Sequence, residues 1–383
     1  MINYEKIIKK YKSPLFIYDI DELYRRVNYL RSKFNNKFNM VYAVKANTFV
    51  VKEIDSVVDR FEICSYGEFE TCNKLCINHN KMVISGVNKD FIEDLISKYD
   101  DILKYTIESY NQFKLLSSLS KKYNRTIHVL IRLTSGNQFG VSEEDLFKII
   151  KENNSLLIID GIEYFAGTQK HSLKIIEKDI NHIIDVVNDI EKNLNYEIKE
   201  IEYGPGAPVF YFQDDSFSED SYLDELNKLI ELFGNKVVSL EIGRSFVASC
   251  GSYLTSVVDI KSNKNGNFVI LDGGINHLVY YGQTMAMKIP YYEVIPKRDE
   301  EEVIYNLCGS LCTINDYLVK NIKINKLSIG DTFVFKNTGA YSSTEGIALF
   351  LSRDLPKIVL FKDGKDILVR DKEKTSILNC PKY

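Results

Sequence analysis

Eight short apolar runs recur between Val41 and Glu241, and each of the first seven is followed by a helical stretch. Strict alternation of this kind leaves few folds open. Strands joined by helical crossovers run parallel, and eight such units close into a (β/α)8 barrel of the TIM type. The runs cover residues 40–44, 61–65, 82–85, 105–107, 128–133, 159–165, 198–203 and 237–241. Helical periodicity is clearest over 67–75, 91–99, 110–123, 143–153, 173–194 and 221–233. An open doubly wound sheet is the alternative topology. The G-x-G-x-x-G fingerprint of its dinucleotide-binding form is missing after the early strands.

Beyond about residue 250 the alternation stops. Strand candidates at 253–261, 267–272, 303–307, 331–336 and 357–361 are separated by turn signals, Asn265-Gly266, Asp272-Gly273-Gly274, Gly330-Asp331 and Asp363-Gly364. A further strand over 14–19 precedes the barrel, so both ends of the chain are expected to build one domain. The expected organisation is an α/β barrel over 21–248 and a mostly-β domain, of sandwich or Greek-key type, over 249–383 with strand 14–19. Hydrophobic residues make up 45% of the 383 and charged residues 27%, enough apolar content for a large core. A net charge of −4 gives no reason to expect nucleic acid or an acidic membrane surface as a partner. No signal core or membrane-length apolar run is present, so the expected location is cytoplasmic. The seven cysteines are odd in number and scattered, and read as thiols; no metal site is expected.

In a (β/α)8 barrel the chemistry gathers at the C-terminal ends of the strands. The polar residues of this chain fall there. Lys45 leaves the first strand, Glu62 and Ser65 the second, and Arg132 the fifth. Gly167 and Thr168 follow the sixth, Gly204-Pro205-Gly206 the seventh, and Glu241 and Arg244 the eighth. A lysine emerging from an apolar strand is partly desolvated, which favours the free amine and so a Schiff base. A Gly-Pro-Gly turn lets backbone N–H groups approach a phosphate, with Thr168 adding a hydroxyl and Arg244 a charge. Glu241 suits a heteroaromatic nitrogen. Aldehyde, phosphate and pyridinium are the three handles of pyridoxal 5′-phosphate. Alone, each feature has an ordinary explanation: a solvated strand cap, a simple turn, a surface ion pair.

The motifs around these residues resemble those of the fold type III pyridoxal-phosphate-dependent decarboxylases, the ornithine, arginine and diaminopimelate decarboxylase family with its alanine-racemase-like barrel. The resemblance runs from Pro14 to about Leu360 through YAVKAN, FEICSYGE, IRLTSGNQFGV, GIEYFAGTQ, EYGPGAP, EIGRSFVASCG, CGSLCTINDYL and NTGAYSST. It implies a decarboxylase of an amino acid or amino-acid derivative that releases carbon dioxide, with pyridoxal phosphate held as an imine on Lys45. Glu241 is then the partner of the ring nitrogen. Thr168, Gly204, Gly206, Arg244 and Tyr341 surround the phosphate, and Arg132 braces acidic groups under the ring, Glu62 and Glu68 being the candidates. Cys312 is implied to return a proton to the α-carbon, from the partner subunit of a homodimer.

Four departures bear on function. Phe165 stands where most relatives carry a ring-stacking histidine, Pro205 replaces a loop glycine, and Ile242 replaces a proline. Thr313 replaces the acidic residue that receives a substrate's distal amine, leaving Asp316 and Glu345 as candidates to stand in. The pattern is closer to biosynthetic members acting on carrier-protein-bound or siderophore-type substrates, so an acyl carrier protein is a candidate partner beside a small amino-acid substrate. An amino-acid racemase and a catalytically inactive, pyridoxal-phosphate-binding regulator are the other readings. Racemases usually place an arginine at the ring nitrogen, against Glu241. Retention of both Lys45 and Cys312 argues against an inactive protein.

Overall fold

Strand β1 covers Leu15–Asp19. The apolar run before Lys45 forms β2, Asn39–Ala43, with its last four residues buried. Seven more strands follow in parallel: β3 (Arg60–Ile63), β4 (Met82–Ile84), β5 (Lys104–Ile107), β6 (Ile127–Arg132), β7 (Leu157–Phe165), β8 (Glu200–Gly204) and β9 (Val237–Ile242). In this computed structural model, which describes residues 2–382, β9 pairs back onto β2 and closes the barrel. The chain divides into two units: residues 27–208 with 218–246, which hold the barrel, and residues 1–26 with 209–217 and 247–383.

The barrel helices start where the sequence places small polar caps. Ser65, Ser109 and Ser142 each accept the backbone N–H three residues on, opening Tyr66–Lys74, Tyr110–Tyr123 and Glu143–Glu152. The first of these is a capping box displaced by one residue. Glu68 reaches back to the Cys64 N–H at 2.7 Å, so the S-x-x-E of FEICSYGE stabilises a strand-to-helix turn. The 22-residue helix Leu173–Leu194 buries Ile176, Ile180, Ile183, Val187 and Ile190 at helical spacing. Between β2 and β3 the helical crossover shrinks to a short helix, Val51–Ile54, preceded by two 3-10 turns.

The second unit is built on a long strand, β10 (Gly251–Asn263). Its first half lies between β1 and β15 (Thr332–Lys336); its second half pairs with β11 (Gly266–Leu271). A bulge between Val257 and Asp259 marks the change of partner. Beyond β11 come β13 (Glu302–Cys308) and β14 (Tyr317–Asn325), and beyond β1 come β16 (Lys357–Lys362) and β17 (Lys365–Arg370). Strand β12 (Tyr292–Ile295) pairs with β15. An N-terminal helix, Tyr4–Tyr11, buries Ile7 against Leu15, Ile17, Leu254, Val334 and Val359. Among the described residues no helix is long and apolar enough to cross a membrane.

Candidate active site

Lys45 sits just past β2, in the 3-10 turn Val44–Ala46, at the C-terminal end of the barrel. Its neighbours Val44 and Ala46 are buried, while its own side chain is 40% exposed, enough for a substrate to reach it. The Nζ atom donates to Glu62 Oε2 at 2.6 Å and lies 3.4 Å from Glu241 Oε1. Two buried carboxyls therefore share one ammonium. Burial works against charge on Glu62, but Lys45 and a hydrogen bond from Glu241 outweigh it and hold Glu62 down at about 2. Burial and the neighbouring Glu62 push Glu241 up, to about 8. The pair thus carries one charge and one proton around neutral pH. Cys64, with Sγ 3.1 Å from Glu62 Oε1 and 3.7 Å from Lys45 Nζ, is kept a thiol by burial and by the Glu62 charge.

A second grouping forms on the loops after β7 and β8. Gly206 has φ +62°, and a Cβ there would stand 2.2 Å from the Gly167 carbonyl oxygen. The two loops approach this closely because position 206 carries no side chain. At Gly204 a Cβ would meet the Phe165 ring at 2.3 Å, so the ring lies over the glycine. Arg244 Nε is 3.3 Å from Thr168 Oγ1, and the Ser245 hydroxyl donates to the Ala207 carbonyl at 2.9 Å. The expected phosphate residues of the barrel unit are thereby brought together.

Arg132 corrects an expectation. Its partners are Glu108 Oε2 at 3.3 Å and Glu163 Oε1 at 3.5 Å, not Glu62 or Glu68. Glu62 is occupied by Lys45 and Glu68 by the helix cap. The sequence reasoning missed Glu108, Glu163 and Glu202, although each is a carboxyl in or just past a buried strand, where a parallel sheet calls for apolar side chains. Burial raises Glu163 to about 7, with Arg132 opposing and Glu62 adding to the rise. Lys89, missed as well, donates to the Gly86 carbonyl at 2.6 Å and is lowered by burial to about 8.

In the other unit Cys312 and Thr313 lie on the loop between β13 and β14, with Cys312 exposed. Asp316, on the same loop, is buried, and its oxygens accept the Ile275 N–H at 3.0 Å and the Leu311 N–H at 2.8 Å. Tyr341 has φ +63°, and its carbonyl accepts the N–H groups of Thr344 and Glu345, closing a tight turn that contains Glu345, the third expected substrate residue.

A family model described as pyridoxal-dependent decarboxylase, C-terminal sheet domain, matches residues 15–339. The chain belongs to the pyridoxal-dependent decarboxylase family. This decarboxylase is 26% identical to the diaminopimelate decarboxylase of Campylobacter jejuni over 97% of its own length and 96% of that protein. It is likewise 26% identical to the L-glutamyl-[BtrI acyl-carrier protein] decarboxylase of Niallia circulans, over 96% of its length and 92% of that protein. Its fold matches the crystal structure of diaminopimelate decarboxylase from Helicobacter pylori complexed with L-lysine, with a TM-score of 0.87, 23% identity and 98% of each chain covered. It is a carboxy-lyase dependent on pyridoxal 5′-phosphate. The barrel residues fit that cofactor: an amine at the rim, a buried carboxyl beside it, and glycine loops that a single Cβ would fill.

The raised carboxyls set a pH dependence. Glu163 and Glu241 bind protons in the folded state up to about 7 and 8, against an ordinary value of 4.5. Over that window the folded chain holds more protons than the unfolded one. Their contribution to stability is therefore full below the ordinary carboxylate range and is lost as pH rises through the folded values. Glu62, held low, acts in the opposite sense and only in acid. Thermal melts of the cofactor-free protein should show Tm falling between about pH 4.5 and pH 8, with a shallower fall in Glu163→Gln. A flat profile would contradict the assignment.

Proposed function

We propose that the enzyme decarboxylates an amino-acid derivative whose distal end carries no free ammonium, with Lys45 holding the cofactor and Cys312 supplying a proton to the product. The observation that carries this reading is the placement of Lys45 Nζ between Glu62 and Glu241 at the barrel rim. When bound, pyridoxal 5′-phosphate supplies an aldehyde that captures amines and a ring that draws electrons away from the α-carbon. Lys45 would hold that aldehyde through its amine. Glu62 keeps the lysine pointed across the barrel mouth and gives its proton somewhere to go. Glu241 would face the ring nitrogen, where a carboxylate keeps a proton in place. Phe165 would offer an apolar face to the ring. Thr168, Gly204, Gly206 and Arg244 would take the phosphate.

Cys312 is proposed to act across a homodimer, reaching the partner's Lys45 site, which makes each active site a shared one. Its replacement by alanine should slow turnover roughly 100-fold or more while cofactor binding stays intact, the loss usual for a positioned proton donor. Cofactor titration and single-turnover carbon dioxide release separate the two effects. A variant with full turnover would remove Cys312 from the mechanism.

Thr313 bears on substrate class. A buried ammonium needs a carboxylate partner, and position 313 offers a hydroxyl. Asp316 already has both oxygens engaged by backbone N–H groups, which leaves Glu345 of the expected residues. An amide-linked or carrier-linked substrate suits this lining better than a free diamino acid. The similarity to a decarboxylase of a carrier-bound glutamyl group supports the carrier-linked form. A carbon dioxide release screen over free amino acids, their side-chain amides and carrier-linked aminoacyl groups tests it. Best turnover on free diaminopimelate, ornithine or lysine would overturn the substrate proposal and leave the decarboxylase intact.

A further inference from the structure

Most (β/α)8 barrels fill their interior with branched apolar side chains. This one carries a charged layer below its rim. Arg132 on β6, Glu163 on β7, Glu202 on β8 and Ser239 on β9 are successive register partners around the barrel. Glu163 and Glu202 are 1% and 0% exposed, and among the described residues neither has a hydrogen-bond partner on either oxygen. Arg132 approaches Glu163 only to 3.5 Å. Arg60 stands 3.9 Å from Glu202 and is already taken by Glu200 and by Ser239 Oγ.

Every strand around this layer contributes a charge. Glu241 lies two residues beyond Ser239 on β9, Glu62 on β3 and Lys45 past β2. Lys89 follows β4 and Glu108 follows β5. Of these groups Lys45, Lys89 and Arg132 are the cations, against the five buried carboxyls Glu62, Glu108, Glu163, Glu202 and Glu241. Isolated carboxylates are too costly in such surroundings, so the surplus must be protonated.

We propose that Glu202 is a permanently neutral acid and that Glu163 is a positioning residue whose charge sets how tightly a proton is held at Glu241. Two fully buried oxygens without donors among the described residues, next to a second carboxyl and with Arg60 3.9 Å away but engaged by Glu200 and Ser239, leave Glu202 poorly able to carry charge. Glu163 has Arg132 beside it and does ionise. Once ionised it repels further negative charge on Glu241. A proton on Glu241, or shared between Glu241 and a base bound against it, is then retained to higher pH. The inference rests on Glu241 belonging to the cofactor site.

Infrared titration of the full-length cofactor-free protein reads the protonated carboxyl stretch directly and needs no variant. Above about pH 6, once the ordinary carboxyls have ionised, the remaining wild-type band should fall in two steps and leave a part that does not titrate. In E163Q the lower step disappears and the upper one moves to lower pH by about one unit. In E202Q the two steps stay in place and the non-titrating part is lost. In the loaded enzyme the alkaline limb of the kcat/KM profile moves to lower pH in E163Q. A wild-type band absent above about pH 6 overturns the whole proposal. An unmoved upper step in E163Q removes Glu163's role, and a moved step in E202Q removes the neutral state of Glu202. Retained activity in K45A would instead sink the site assignment, whatever the infrared result.

Discussion

Replacing Lys45 with alanine should lower carbon dioxide release by roughly 10⁴-fold or more, the scale on which removal of a covalent catalyst acts. The visible absorbance of the bound cofactor should vanish with it. Lys45→Arg separates two possible causes. Arginine keeps a cation between Glu62 and Glu241 but has no nucleophilic amine at any working pH. If the lysine acts only as a counter-charge, K45R restores turnover; if its amine is the reacting group, K45R is as inactive as K45A. Neither variant should unfold the chain. In K45A the carboxyl pair loses its ammonium, but Glu62 can take up a proton. Circular dichroism establishes folding, and turnover of either variant within tenfold of the wild type would end the proposal.

Gly206→Ala should weaken cofactor binding by roughly 100-fold. Two penalties combine there. A φ of +62° costs alanine about 1–2 kcal/mol. Its Cβ would also stand 2.2 Å from the Gly167 carbonyl oxygen, a backbone atom that cannot swing aside. The loop carrying Gly167 and Thr168 must retreat, and Thr168 Oγ1 moves from its place 3.3 Å from Arg244. Excess pyridoxal phosphate should recover part of the carbon dioxide release, since Lys45, Glu62 and Glu241 are untouched. Gly67→Ala is the matched control: it lies in the first turn of a helix, where a Cβ would meet Ser65 Oγ at an ordinary 3.9 Å. Equal cofactor affinity in G206A and G67A would show that this turn does not hold the phosphate.

Much of the barrel was legible in the primary structure because strand and crossover patterns are local. The run before Lys45 and the helices over Tyr110–Tyr123 and Leu173–Leu194 follow directly from apolar spacing. Strands β12, β14 and β17 were not legible. Strand β17 is largely exposed, β12 is only half-buried, and β14 is interrupted by Asn321 at φ +53°. None of them shows a clean alternation. The helix Tyr4–Tyr11 escaped notice because Ile7 is its single fully buried residue.

Of the site, the sequence supplied the residue types and the rim on which the barrel-borne ones stand. It misassigned the partners of Arg132, since an S-x-x-E pattern serves a helix start as readily as it serves a binding site. Glu163 and Glu202 went unremarked because each shares its strand with another acid, Asp160 and Glu200, and their significance comes only from being neighbours across strands.

The sequence alone determined that Lys45 ends a buried strand and that glycines, an arginine and a carboxyl end others, because strand period and turn chemistry act over a few residues. Tertiary structure decided which carboxyls share the lysine. Glu241 lies 196 residues from Lys45 in the chain and reaches it only because β9 closes onto β2. It also decided the protonation of the interior. Charge is settled by burial and by lateral neighbours brought together at barrel closure, and no local pattern encodes either.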